Sequence, residues 1–379
     1  MISSIIIDRL KRFEHLEIAT RPLTVLTGLN GSGKTSILHG LMLARQAAFG
    51  SPAPRTVALN GPYGLALGEA LDVLTQNADP ARGIEVAVTD ETGTTYRWQF
   101  GTGNLGERQT FLTVDHRPWE ECKVLSGSPR RFAYLAAERL GPRDTLSAGT
   151  DDAETIGVGH AGEFTAQVLG MLDTPRWLVP ERRREPNRTP KHQVYSLRRQ
   201  TEWWMAEIVH EVEIEAQWYP GTNSLSIRFR APGYKSDWTR PANTGFGLSY
   251  ALPIIVAGLV TPSGGTLLIE NPEAHLHPAG QSAMGAFLAR ISSDGVQVIV
   301  ETHSDHLING VRRAIAEQDV LQAGNAILHF FGNPRDKTAP QSVPIEILES
   351  GKLSAWPKGF FDQIDLDLAA LARLKKSRK

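Results

Sequence analysis

Residues 28 to 36, GLNGSGKTS, satisfy the pattern G-x-x-x-x-G-K-S/T, a loop built to grip phosphate. Glycines in such a loop let successive backbone N–H groups turn inward, and a helix opening behind it presents its positive end. Asn30, Gly31, Ser32, Gly33, Lys34, Thr35 and Ser36 are therefore candidate ligands of ATP. Lys34 would neutralise the β and γ phosphates, and Thr35 would give its hydroxyl to Mg2+.

Such a site needs a carboxylate on a neighbouring strand to complete the metal shell. TLLIENPEAHLHP (266 to 278) offers one, because Glu270 ends an apolar run where an idle charge would be costly. The next residue is Asn271, which can orient a water but cannot hold a proton. Glu273, beyond Pro272, is the nearest carboxylate in sequence and the candidate base. VIVETHSDHL (298 to 307) places His303 past the end of another apolar strand, within reach of a γ phosphate or an attacking water. His275, His277 and His306 are close in sequence, but H-x-H and H-x-x-H on two different loops make a weak zinc signal.

Positioning these groups takes strands that end at the site and helices that start there. SIIIDRLKRFEHLEI (4 to 18) reads as two short strands joined by a polar turn, and PLTVLTG (22 to 28) as a buried strand ending in glycine. Behind the glycine loop, Ile37, Leu38, Leu41, Met42 and Leu43 fit helical spacing. Further on, the pattern predicts helix 245 to 260, strand 266 to 270, helix 278 to 292, strand 296 to 302, helix 304 to 317 and strand 326 to 331. This alternation predicts a largely parallel sheet covered on both faces. The texture between differs. GIEVAVTDETGTTYRWQFGTG (83 to 103) and QWYPGTNSLSIRFRAP (217 to 232) read as hairpins, and FTAQVLGML (164 to 172) and RRQTEWWMAEIVHEVEI (198 to 214) as helices. The expected division is a core split into 1 to 55 and 241 to 332, an α+β insertion at 56 to 240, and a small C-terminal domain at 333 to 379.

The chain has 379 residues, 41% of them hydrophobic, enough for a large core. Its single cysteine, Cys122, provides neither a disulfide framework nor a cysteine zinc site. The apolar N-terminal run is broken by Asp8 and Arg9, and LSYALPIIVAGLV (248 to 260) is shorter than a membrane span and contains Pro253. The expectation is a soluble, cytoplasmic protein with no membrane partner. A net charge of −1 argues against a dedicated nucleic-acid binder. The local exception is 176 to 199, with eight Lys or Arg against two Glu, a stretch available to a DNA backbone.

Taken together, IIIDRLKRFEHLEI with PLTVLTGLNGSGKTSIL, LLIENPEAHLHP and VIVETHSDHLI resemble the ABC-type ATPases of the SMC, RecF and OLD-nuclease kind, often grouped with AAA-like bacterial ATPases. The resemblance covers 1 to 50 and 240 to 332. The C-terminal run WPKGFFDQ, with YLAAERLGPR at 134 to 143, is similar to a subgroup ending in a small domain of unknown function. It implies an α/β P-loop NTPase of the ABC-ATPase head type, with a mixed, largely parallel sheet and an inserted α+β subdomain; in contrast to SMC proteins no long heptad run is present, so no coiled-coil arm is expected. It further implies that Thr35 and Glu270 hold Mg2+ and that His303 is a switch histidine. Glu138 stands near where relatives carry a magnesium-sensing glutamine. NTGFGLSYALPIIVAGL (243 to 259) occupies the place of the signature motif, so Gly245, Gly247 and Ser249 would meet the ATP held by a second copy in a homodimer.

Two departures stand out. GFGLS is not the usual LSGG order, and Asn271 replaces the glutamate of many relatives, which implies slow hydrolysis and a long-lived ATP dimer. Residues 333 to 379 are too short for the metal-nuclease domain of an OLD nuclease. The first expectation is accordingly an ATPase switch that controls a separate effector, a nuclease or toxin, in bacterial anti-phage defence. The second is a RecF-like DNA-binding ATPase of repair or recombination that grips DNA through 176 to 199. A transporter ATPase ranks last.

Overall fold

Strands Ala326–Phe331, Leu23–Gly28, Gln297–Thr302, Thr266–Glu270 and Phe132–Leu135 lie side by side in that order, all parallel, with Val343–Glu346 added antiparallel beside Ala326–Phe331. Apart from half-buried Gly28, every residue of the five parallel strands is buried. Continuous apolar runs of this kind are what a sheet covered on both faces requires. The structure is a computed structural model that describes residues 1–49, 53–103, 108–219, 221–233, 237–333, 340–362, 367–368 and 370–371.

On one face the helix Lys34–Ala48 packs between this sheet and a second, antiparallel one ordered Phe13–Ala19, Ile2–Leu10, Ile84–Asp90, Thr95–Gly101, Phe111–His116, Thr56–Ala58. Its Ile37 and Leu41 share a core with Ile7, Leu10, Val86 and Val88 of the antiparallel sheet and with Leu26, Leu268 and Ile299 of the parallel one. A buried amide ties the sheets together: Gln297 accepts from Ile2 N at 2.7 Å and donates to Ile2 O at 2.6 Å. The other face is covered by helices Leu197–Ile208, Phe246–Val260, Pro278–Ser293 and Asp305–Ala316.

The expected insertion at 56 to 240 does not form one separate body. Its residues 84–101 and 111–116 extend the N-terminal antiparallel sheet, and Phe132–Leu135 pairs in parallel with Thr266–Glu270 inside the central sheet. A smaller part forms a sheet of its own, where Leu146–Ser147, Glu213–Trp218 and Ser224–Arg230 lie beside helix Thr165–Leu172, and it shares the core of the central sheet. The helix expected over 198 to 214 ends at Ile208; Val209 leaves the helical region, and Glu202 accepts Ile214 N at 2.8 Å where the next strand begins. At the C-terminal end, buried Phe360 packs edge-on against Phe330, 5.4 Å away, and Trp356, 4.9 Å away, seating the WPKGFF run on the central sheet. The terminal basic run 373–379 lies outside the described residues.

Helices Pro278–Ser293 and Asp305–Ala316 touch backbone to backbone. A Cβ on Gly285 would overlap the Leu307 carbonyl, and one on Gly310 would overlap the Ser282 carbonyl. This contact fixes the start of the second helix, where Ser304 caps Leu307 N at 3.0 Å and donates to Gln281 Oε1 at 2.5 Å. Gly310→Ala is expected to lower the unfolding free energy by about 1–3 kcal/mol, because the clash is with backbone. Gly324→Ala, where an added Cβ meets nothing, should change it by less than about 0.5 kcal/mol in the same urea titration.

Candidate active site

The glycine loop leaves the strand Leu23–Gly28 in a tight turn. Gly28 sits at φ 140° against the Phe331 carbonyl, and Gly33, at φ 94°, opens the helix beside the side chains of Arg12 and Phe13. A Cβ would strike a neighbour at either place, so the loop path demands glycine there. Lys34 is buried and donates to the carbonyls of Gly28 at 3.2 Å and Leu29 at 3.0 Å, folding the loop over its own ammonium. Arg12 donates to Ser32 O at 2.6 Å. The Ser32 hydroxyl is buried with no partner.

This loop forms one wall of a cleft of about 520 Å³. Asn30 through Ser36 all line it, and so do Glu270, Asn271 and His303 from the opposite strand ends. The sequence-predicted groups from three separate segments thus meet at one place. Lys11, Arg12, Ala137 and Glu301 complete the lining, and none of these was singled out from the sequence.

Glu301 is the consequential omission. It faces Glu270 across the strand pair Thr266–Glu270 and Gln297–Thr302, and its Oε1 accepts the Thr35 hydroxyl at 3.0 Å with Lys34 Nζ 3.9 Å away. Glu270 instead accepts from Tyr134 OH at 2.7 Å and from Ala137 N at 3.2 Å. Arg139 straps the turn that follows by donating to the carbonyls of Ala136, Glu270 and Asn271. Asn271 holds φ 44°, its N–H bonds Glu301 O at 2.9 Å, and its Oδ1 is buried and unpartnered. The signal for Glu301 was present in the sequence: it directly follows the apolar run Val298–Val300, as Glu270 follows Leu267–Ile269.

Burial and mutual repulsion shape the charges. Glu301 is pushed up to about 7, by burial first and by Glu270 second. Burial also raises Glu270, against the opposing hydrogen bonds from Tyr134 and Ala137, and raises Glu273. Lys34 is lowered by burial, opposed by Glu301 and Glu273. His303, exposed at the cleft edge, is lowered by desolvation and then by the Lys34 charge. Two carboxylates thus converge beside a hydroxyl, with Lys34 near Glu301 and Lys11 and Arg12 on the same cleft wall. Three hard oxygen donors, with room left for phosphate and water, fit Mg2+, which is commonly held by one or two carboxylates plus substrate phosphate.

Other predicted residues lie elsewhere. Glu273 does not line the cleft; its Oε1 accepts His303 N at 2.7 Å, which fixes the loop after Gln297–Thr302 to the turn after Glu270. Glu138 is exposed and stands outside the cleft, because the backbone there turns Ala137 inward instead. Gly245 precedes the helix Phe246–Val260, with Gly247 and Ser249 in its first turn, all away from this chain's own cleft. Phe246 beside them is 53% exposed. His275 packs its ring on Tyr250 at 4.5 Å, and His277 caps Ala279 N at 3.3 Å.

Comparisons with known proteins bear on the family and the fold. The family described as an AAA ATPase domain matches residues 213–308, and a family of unknown function, DUF3696, matches 321–371. An OLD nuclease of Thermus scotoductus is 24% identical over 343 residues, 80% of this chain and 59% of that protein. The cobalt import ATP-binding protein CbiO of Salmonella typhi is 33% identical over 76 residues, 20% of this chain and 27% of that protein. The chain thus spans less than two thirds of the length of these curated relatives. An SMC head bound to the C-winged helix domain of ScpA aligns with TM-score 0.52 and 15% identity, covering 91% of this chain and 98% of that one. At that identity the likeness shows a shared fold.

Lys11, on the cleft wall, is held by His39, whose Nδ1 receives its ammonium at 2.9 Å. Burial first, and Lys11 second, push His39 down to about 3, so its ring stays neutral. A base whose folded value lies below its unfolded one loses stability as pH falls from about 6.5 towards 3. Replacing His39 with Gln should therefore shift the unfolding free-energy difference in favour of the variant by roughly 2 kcal/mol between about pH 7.5 and about pH 4.5, measured by urea denaturation.

Proposed function

We propose that this P-loop ATPase of the SMC, RecF and OLD-nuclease class binds Mg-ATP in the Lys34 cleft, pairs with a second copy around two nucleotides and hydrolyses ATP slowly. By that cycle it controls a separate effector protein, of nuclease or toxin kind, in bacterial anti-phage defence within the cytoplasm. The observation that carries this reading is the neighbour of the carboxylates. Asn271 lines the cleft where a base belongs, while Glu273, the nearest alternative, is turned onto His303 N.

Lys34 is poised to exchange the Gly28 and Leu29 carbonyls for phosphate oxygens, releasing the loop that it now holds shut. Bound magnesium would balance the β and γ phosphates against Glu270 and Glu301. Asn271 can orient a water but not deprotonate it, and a missing general base is worth about 10²–10⁴ in rate. His303, at the cleft edge and joined through its backbone to Glu273, is the group placed to register whether the γ phosphate is present. Gly245 and Phe246 are exposed outside the cleft, which supports this helix start meeting the nucleotide of a second copy, with Ser249 half-buried beside them and Gly247 buried behind.

A separate effector is supported by the SMC head of shared fold, which was solved with a domain of another protein, ScpA. The RecF-like reading needs free cations in 176 to 199, and much of that segment is already engaged. Arg183 is 1% exposed, pairs with Asp294 at 2.7 Å and donates to the Thr261 carbonyl. Arg188 pairs with Glu211, Arg198 with Asp173 and Arg199 with Glu202. This favours the effector reading over DNA. Among the described residues no helix is long and apolar enough to cross a membrane.

Steady-state ATP turnover with Mg2+, with and without duplex DNA, tests the proposal. Wild type is expected below about 1 s⁻¹, the low end for enzymes, and Lys34→Ala at background. Glu273→Gln, which keeps an acceptor for His303 N, should lose less than about tenfold, since it removes no proton acceptor from the cleft. Loss as complete as in Lys34→Ala would instead identify Glu273 as the base, and strong stimulation by DNA would favour the RecF-like reading.

A further inference from the structure

Two buried carboxylates face the cleft, and they are not equivalent. Both oxygens of Glu270 already accept hydrogen bonds, from Tyr134 OH and Ala137 N. Tyr134 belongs to the outer strand Phe132–Leu135, so its hydroxyl draws the Glu270 carboxylate away from the glycine loop. Glu301 differs in each respect. Its strand is the immediate neighbour of Leu23–Gly28, whereas the Glu270 strand is one place further out, and adjacent strands are about 4.8 Å apart. Its Oε1 touches the Thr35 hydroxyl, the group set to ligate a phosphate-bound metal, while its Oε2 is buried with no hydrogen-bond partner. The residue is 5% exposed and lines the cleft. A buried carboxylate oxygen left without a donor is costly unless a cation comes to it.

We propose that Glu301, rather than Glu270, is the principal carboxylate donor to the divalent cation of bound Mg-ATP, and that Glu270 is a positioning residue clamped by Tyr134 and Ala137. This rests on the reading of the cleft as an ATP site. It goes further, because the metal carboxylate then sits on the strand that carries His303 two residues later. Metal loading therefore acts on the switch loop through one short covalent path, without passing through the Asn271 turn.

The charge argument separates this role from a merely structural one. Glu301→Gln keeps the size and an acceptor for the Thr35 hydroxyl but removes the negative charge. The experiment measures affinity for ATPγS by calorimetry in EDTA and again with Mn2+, together with bound Mn2+ by electron paramagnetic resonance. In wild type, Mn2+ should tighten ATPγS binding. In Glu301→Gln that gain should shrink by about tenfold or more, the scale on which altered metal-shell partners act, with metal-free ATPγS binding unchanged or tighter. Glu270→Gln should lose far less of the gain, and Glu301→Asp, which keeps the charge on a shorter stem, should retain part of it. An undiminished Mn2+ gain in Glu301→Gln, or an equal or larger loss in Glu270→Gln, would overturn the proposal. Failure of folded wild type to bind ATPγS with or without metal would remove the ATP reading itself, and this proposal with it.

Discussion

A pair of carboxylates buried at the ends of neighbouring strands is the constraint on which the rest of the site depends. Glu270 and Glu301 stand opposite each other in the sheet register, and neither is open to water. Such a pair is tolerated only with donors and cations around it. The surrounding structure supplies them from distant parts of the chain: Tyr134 and Ala137 for one carboxylate, Thr35 and Lys34 for the other. The result is a cleft of mixed charge, with Lys11, Arg12 and Lys34 lining it beside the two carboxylates and facing a loop made for phosphate. Bound Mg-ATP would add a cation beside the carboxylates and an anion for the loop.

The same residues connect the cleft to the surfaces that would sense its state. Arg139 grips the carbonyls of Glu270 and Asn271 and lies 5.3 Å over the ring of Tyr250, on the helix that Gly245 precedes. Glu273 links the turn after Glu270 to the backbone of His303, and Ser304 then links that loop to Gln281 on the helix Pro278–Ser293. Arg139 is thus in contact with both the Asn271 turn and the helix that Gly245 precedes. Backbone contact at Gly285 and Gly310 packs the two helices behind the loop closely against each other.

Much of this was legible in the sequence, and the division between legible and hidden follows physical range. The phosphate-loop pattern and the helix–strand order after residue 241 are written in one contiguous motif and in local periodicity, whereas the ABC-ATPase head type was carried by the resemblance of several motifs together. Glu270 and His303 were readable because each follows an apolar strand. Glu301 met the same criterion, but its importance comes from touching Thr35, a contact across 266 positions that no local pattern reveals. Glu138 was placed by its resemblance to a glutamine position, and the turn after Phe132–Leu135 points its neighbour Ala137 at the cleft instead. The stretch 56 to 135 read as an insertion because its strands pair with partners distant in sequence. The basic run at 176 to 199 read as a free patch because the acids that engage it, including Asp294, Glu211 and Asp173, lie outside it.

The central claim is that ATP occupancy of this cleft changes the association state of the protein. Molar mass by light scattering, with and without saturating Mg-ATP, tests it directly in wild type and in Ser249→Arg, which places a bulky cation at the start of the helix outside the cleft. The account expects one-chain mass without nucleotide, twice that mass with Mg-ATP in wild type, and no doubling in Ser249→Arg although nucleotide still binds. An unchanged mass in wild type with nucleotide demonstrably bound would contradict it.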